Sequence, residues 1–199
     1  MRVASVWRRQ SCRRGGFAGR IAGATLVIIA LLVLAAGCRK KTEQGGNLNV
    51  QNNVAPRAAR LYFEGPSLLL MAEQRNVQAP QNPAGAMAVV VRELFKGPAN
   101  PGFARAFPAD TVVRGAFLLP DGTGFVDLGG ATLTQGWSTG SHEELMAVYS
   151  LVQTITVNFP EAKRVRILVN GTPAETLAGH VALDRSLVPS TAFLDPRAR

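Results

Sequence analysis

Cysteine and histidine are scarce in this chain: Cys12, Cys38, His142 and His180 are the only ones among 199 residues. A zinc site needs three or four closely placed ligands, mostly nitrogen or sulfur, and this inventory cannot furnish an N/S site. His142-Glu143-Glu144-Leu145-Met146 begins as a zinc-protease helix does, yet Met146 stands where the second histidine must lie one turn on. No glycine-rich phosphate loop follows a strand, because Gly122-Thr123-Gly124 reads as a hairpin turn. The expectation is a protein with no metal and no cofactor. Acidic residues are also missing ahead of Glu43, and that one-sided start marks off a segment with its own purpose.

The acid-free segment has a cationic part holding Arg8, Arg9, Arg13, Arg14 and Arg20, then the unbroken apolar run Leu26 to Val33. A cationic start, an apolar centre and small residues at the exit make a secretory signal peptide. The apolar part from Ile21 to Gly37, 17 residues, is at the short limit for a membrane span. It ends in Leu34-Ala35-Ala36-Gly37-Cys38, which resembles the lipobox of bacterial lipoproteins. That resemblance implies diacylglyceryl transfer to the Cys38 thiol, removal of residues 1–37, and a membrane partner reached through the lipid on Cys38. Arg13-Arg14-Gly15-Gly16-Phe17 is only distantly similar to a twin-arginine signal, so export in the unfolded state is expected. Arg39 replaces the Asp that commonly retains such proteins at the inner membrane of two-membrane bacteria. The periplasmic face of the outer membrane is then the expected location where an outer membrane exists.

Removing the leader changes the charge. The whole chain carries 22 Lys+Arg against 13 Asp+Glu, for +9. Six arginines leave with the leader and every acid stays, so 16 bases face 13 acids and the mature chain is +3. No run of Lys or Arg interleaved with aromatics survives, and a nucleic-acid partner is excluded. Cys12 is lost and Cys38 carries lipid, so no intramolecular disulfide forms. The 162 residues that remain of 199 suffice for one domain held by an ordinary core.

Residues 38–59 are polar and rich in Gly and Asn, a composition that cannot bury enough surface to fold, and they read as a flexible tether. Arg60–Glu64 and Ser67–Glu73 flank Gly65-Pro66 as a strand pair. Asn82 as N-cap and Pro83 at the first helical position open an amphipathic helix, with Met87, Val90, Val91, Leu94 and Phe95 on its apolar stripe, and Gly97-Pro98 stops it. Thr111–Leu119 and Phe125–Leu128 form a hairpin about Asp121-Gly122. Ser141 and Glu144 read as a capping box starting a helix that Pro160 ends. Val165–Val169 turns at Asn170-Gly171 into Thr172–Leu177. The order ββα-ββα-ββ predicts an α+β domain, one mixed or antiparallel sheet covered by two helices.

Leu61-Tyr62-Phe63, Leu94-Phe95-Lys96-Gly97-Pro98, Ala106-Phe107-Pro108-Ala109-Asp110-Thr111, Gly124-Phe125-Val126-Asp127-Leu128, Ile167-Leu168-Val169-Asn170-Gly171 and Gly179-His180-Val181 follow one another in this order. In order and spacing they resemble the GerMN domain, the sporulation and spore-germination domain of bacterial envelope lipoproteins. The resemblance covers residues 60–189 and leaves 190–199 as a C-terminal tail. It implies a lipid-tethered module of envelope assemblies, with one copy of the domain, and it brings no catalytic set.

Two functions of different class follow. In the first, the domain is a noncatalytic binding or assembly module, meeting envelope proteins or peptidoglycan through the loop Gly129–Gly140, where Trp137 is the anchor; His180 is either a turn residue or a second contact. In the second, it is an envelope hydrolase or small-ligand binder built from carboxylates such as Asp127, Glu143 and Glu161. A triad of Ser141, His142 and Glu143 is rejected because adjacent helical residues point in different directions. Since a single acyl chain binds membranes only marginally and several bind durably, Cys38→Ala is expected to abolish lipid-dependent retention. Membrane fractionation checks this, and unchanged processing with unchanged retention would refute it.

Overall fold

The computed structural model describes residues 53–198; the leader, Cys38 and most of the expected tether lie outside the described residues. Strands β1 (Val54–Glu64) and β2 (Leu70–Pro80) pair antiparallel over their full length, from Val54 opposite Pro80 to Glu64 opposite Leu70. β1 starts at Val54, ahead of the expected Arg60, and β2 extends past Glu73 to Pro80. The cause is pairing more than hydrophobicity: Ala59, Leu61 and Phe63 are buried, but the first residues of β1 bury little and are held by their partners on β2.

Helix α1 (Pro83–Phe95) opens as its sequence predicts, with Asn82 Oδ1 accepting from Gly85 N–H at 2.6 Å. Ala86, Met87, Val90, Val91 and Leu94 are buried in the core. Its last carbonyls are taken up by arginines: Arg105 donates to Phe95 O and Lys96 O, each at 2.7 Å, and Arg75 donates to Gly97 O at 2.6 Å. Cations at this end also suit the helix dipole.

Strands β3 (Val112–Leu118) and β4 (Thr123–Gly129) form the hairpin about Asp121-Gly122, with Gly122 at φ 80°. A short helix α2 (Ala131–Gln135) lies in the loop that follows, and helix α3 (Ser141–Asn158) leads through Pro160 to β5 (Arg164–Val169) and β6 (Thr172–Pro173). β5 runs parallel to β4, giving the mixed order β3-β4-β5-β6. Asn170 and Gly171 have φ of 52° and 79°, the positive pair an Asn-Gly hairpin requires. β6 is shorter than the expected Thr172–Leu177, since Pro173 has no N–H to continue a ladder.

The fold is α+β, as expected, but its strands divide between two sheets. The edge of β1 that faces away from β2 is taken by α3 in place of another strand. Ser150 Oγ donates to Tyr62 O at 2.6 Å, and Thr154 Oγ1 accepts from Tyr62 N–H at 3.1 Å. Asn158 accepts from Arg60 N–H at 2.9 Å and donates to Arg60 O at 2.7 Å. Residues four apart share a helix face, so three side chains hold the strand edge. The opposite side of α3 buries Val148, Leu151, Val152 and Ile155 in the main core.

Residues 190–198 are no loose tail. Leu194 and Asp195 are buried, and Asp195 N–H donates to Leu70 O at 3.0 Å. Ser67 Oγ donates to Asp195 Oδ2 at 2.6 Å. Hydrogen bonds from Arg197 and Ser67 hold the Asp195 carboxyl well below the ordinary aspartate range. Leu194 completes a second cluster with Tyr62, Leu70 and Met146, beside which Tyr149 and Phe193 rings meet at 4.1 Å.

Leu94 is 1% exposed, so Leu94→Ala is expected to cost about 2–5 kcal/mol, whereas the exposed Gln78→Ala should stay within about 0.5 kcal/mol. Equal denaturation midpoints for the two variants would contradict the packing of α1.

Candidate functional site

The first turn of α3 joins two features on different sides. One is Glu144. Gly140 is the N-cap of this helix, and no side chain caps it, so the expected capping box of Ser141 and Glu144 does not form. Glu144 turns inward, 0% exposed, and receives the backbone of the loop after β6. Its Oε1 accepts from Leu177 and Ala178 N–H, both at 2.8 Å. Its Oε2 accepts from His180 N–H at 2.7 Å and Val181 N–H at 3.2 Å, with His180 Nδ1 also at 3.2 Å. Gly179, at φ 96°, lets the loop curl so that these amides converge. The result is a backbone nest filled by the protein's own carboxylate. Burial pushes the Glu144 carboxyl up, but the amides of Ala178, His180, Leu177 and Val181 outweigh it, and the net pKa lies below the ordinary glutamate value.

The second feature is a cleft of about 440 Å³ lined by Glu64, Arg105, Phe107, Trp137, Glu143 and Met146, among others. Phe107 is buried, meets the Phe95 ring at a 54° tilt with centroids 4.8 Å apart, and stacks with Trp137 at 6.2 Å and an interplanar angle of 25°. Trp137 is half-buried: one part packs on the core and the rest stays accessible. Glu64, at the end of β1, has a side chain 15% exposed, and its Oε2 lies 3.3 Å from His142 Nε2.

The carboxylates expected as alternatives occupy separate neighbourhoods. Asp127 Oδ1 accepts from Gly171 N–H at 2.7 Å, and Oδ2 meets Arg114 Nε at 3.3 Å, so this acid holds the β5–β6 turn. Glu143 is exposed and lines the Trp137 cleft, while Glu161 is exposed in the connection from α3 to β5. Ser141 is exposed and His142 faces Glu64, which separates the rejected triad. His180 is neither a plain turn residue nor a free contact, because its backbone and Nδ1 join the Glu144 nest while its side chain stays 42% exposed. Sequence reasoning missed the roles of Glu144 and Glu64. A signal for the first was an acid set directly before Leu145-Met146-Ala147-Val148, where a solvated charge has no place.

The family model described as Germane, sporulation and spore germination, matches residues 60–175. Among solved structures, the tandem GerMN domains of the sporulation protein GerM from Bacillus subtilis align with 18% identity and a TM-score of 0.52, covering 68% of this chain and 46% of that one. The chain therefore spans about half the length of the tandem protein. A candidate lipoprotein from Clostridium perfringens aligns with 19% identity and a TM-score of 0.49, covering 67% and 88%. The first GerMN domain of the same GerM protein gives 20% identity and 0.46, covering 71% and 98%. No curated protein matches the sequence significantly.

Because its folded pKa is depressed, ionised Glu144 adds stability that is fully present above the unfolded value of about 4.5 and is lost as pH falls through the folded value. Glu144→Gln leaves amides of the nest poorly paired and is expected to cost about 1–3 kcal/mol at pH 7. The gap between wild type and variant should narrow at pH 3. Denaturant midpoints at the two pH values measure it, and a gap that widens in acid would contradict the clasp.

Proposed function

The chain belongs to the Germane family of sporulation and spore germination proteins, and from that membership we propose that it is a lipid-anchored envelope protein that acts by binding. Cys38 carries the anchor, and the domain from Val54 onward is a noncatalytic module that docks an envelope protein or the cell wall. Its contact surface is the Trp137 cleft.

The observation that carries this reading is the way Trp137 is mounted. An indole backed by Phe107, itself braced on Phe95, is a rigid and partly accessible aromatic over a concave surface. Such aromatics give large contact area at small entropic cost and dominate binding hot spots. The acids named for a hydrolase support the same reading from the other side, since Glu143 and Glu161 stand exposed in separate neighbourhoods and Asp127 is engaged elsewhere. Asp127 is bound to the β5–β6 turn and to Arg114, and the buried Glu144, outside that set, is likewise taken up by a loop. Delivery to an outer membrane, where one exists, remains part of the proposal and rests on Arg39 after the cysteine.

Trp137→Ala is expected to reduce retention of the full chain on native envelope material about tenfold or more, the loss of a typical hot spot, with circular dichroism unchanged. Digestion assays on purified cell wall and glycans, run beside Asp127→Asn, Glu143→Gln and Glu161→Gln, should show no turnover. Turnover that vanishes in one of these variants would replace the module with an enzyme.

A further inference from the structure

The electrostatics of the Trp137 cleft are unbalanced, and the imbalance has a sign. Glu64 brings a carboxylate that is mostly out of water. Its close neighbour His142 supplies a charge only when protonated, and His142 Nε2 is buried without a hydrogen-bond partner among the described residues. Glu143 adds a second carboxylate at the mouth. Among the described residues Arg105 is the one cation of the lining; its guanidinium is held in place on Phe95 O and Lys96 O and keeps its charge, so two carboxylates face one cation. A dehydrated carboxylate without a settled cation is costly, and an incoming positive charge relieves that cost. An anionic ligand would meet two like charges against the single opposite charge of Arg105.

The walls narrow the choice of cation. Trp137 offers an indole, the strongest aromatic partner for a cation. Ala106, Pro108, Met146 and Ala147 give the cleft apolar walls along which a methylene stem can lie while its charged head reaches Glu64. A volume of about 440 Å³ admits such a side chain together with some of the backbone that bears it. Resting on the binding-module reading above, we infer that the cleft captures a primary ammonium at the end of an aliphatic chain, a lysine-type side chain presented by a peptide. Glu64 and Glu143 bind the charge, and Trp137 covers it.

The test follows fluorescence of the lipidated mature chain in detergent micelles, in which Trp137 is the one tryptophan left once residues 1–37 are removed, with Trp137→Phe measured alongside as the blank. The probes are Nα-acetyl-lysine amide, the norleucine analogue that lacks the charge, and Nα-acetyl-arginine amide. The expected result is a saturable change with the lysine probe, with the norleucine analogue at least about tenfold weaker, the scale of a desolvated cation–π contact, and the bulkier arginine probe weaker than lysine. Glu64→Gln and the surface change Glu143→Gln should each weaken the lysine probe, and Glu161→Gln should not. Equal response to lysine and norleucine, equal response to arginine, no saturable response, or full binding by both Glu64→Gln and Glu143→Gln would each overturn the assignment. Since Glu143 is exposed, its variant keeps the test open if Glu64→Gln fails to fold. Envelope retention that still depends on Trp137, without a lysine response, would sink the ammonium site and spare the binding module. Loss of both would sink the two together.

Discussion

A strand edge buried against a helix must have its amides and carbonyls paired, and that requirement at Arg60 and Tyr62 of β1 fixes the arrangement of the rest. Ser150, Thr154 and Asn158 meet it from one face of α3. No strand can then add to β1 at these positions, so the chain builds its second sheet elsewhere and fills the space between with the apolar side of α3. Buried hydroxyls and amides are tolerated only when satisfied, and here they also set the height of the helix along the strand. A slip by one turn would strand four backbone groups at once.

Fixing α3 fixes what lies at its start. Glu144 and Glu143 are neighbours in sequence but point apart, one into a nest of amides and the other toward the Trp137 cleft. The helix thus carries a structural carboxylate and a surface one side by side. The ionised form of the first is secured by four N–H donors, which is why its burial does not neutralise it. The second keeps its solvent and stays free for a partner. The docking of Leu194 and Asp195 on the hairpin tip supports the same region from behind, through the cluster of Tyr62, Leu70 and Met146.

Local signals were readable where one short stretch decides its own geometry. Asn82-Pro83, Asp121-Gly122 and Asn170-Gly171 each set backbone angles without outside help, and each lies where the sequence puts it. The division into two sheets was not readable from strand patterns, since it depends on a polar stripe in a helix about ninety residues away. That stripe, Ser150, Thr154 and Asn158 at four-residue spacing inside an apolar helix, was the available clue. Glu144 was misread because Ser-x-x-Glu describes a capping box as well as an acid that happens to stand there. The Trp137 cleft was half legible: the indole stood out among small polar residues, while Glu64 and His142 come together only through the tertiary fold.

The length of the β1–β2 hairpin has a mechanical meaning. The chain enters the domain at Val54, and Glu64 of the cleft lies at the other end of the same strand. Ten steps of about 3.3 Å put some 33 Å between them. A pull between the entering chain and a partner gripped at Glu64 would be directed along β1, both points of attachment lying on this one strand. Such a load passes through the covalent backbone of β1, and the ladder hydrogen bonds to β2, which stand perpendicular to it, hold the strand in place without bearing it. The strand that brings Glu64 to the cleft would therefore also be the line along which that tension runs.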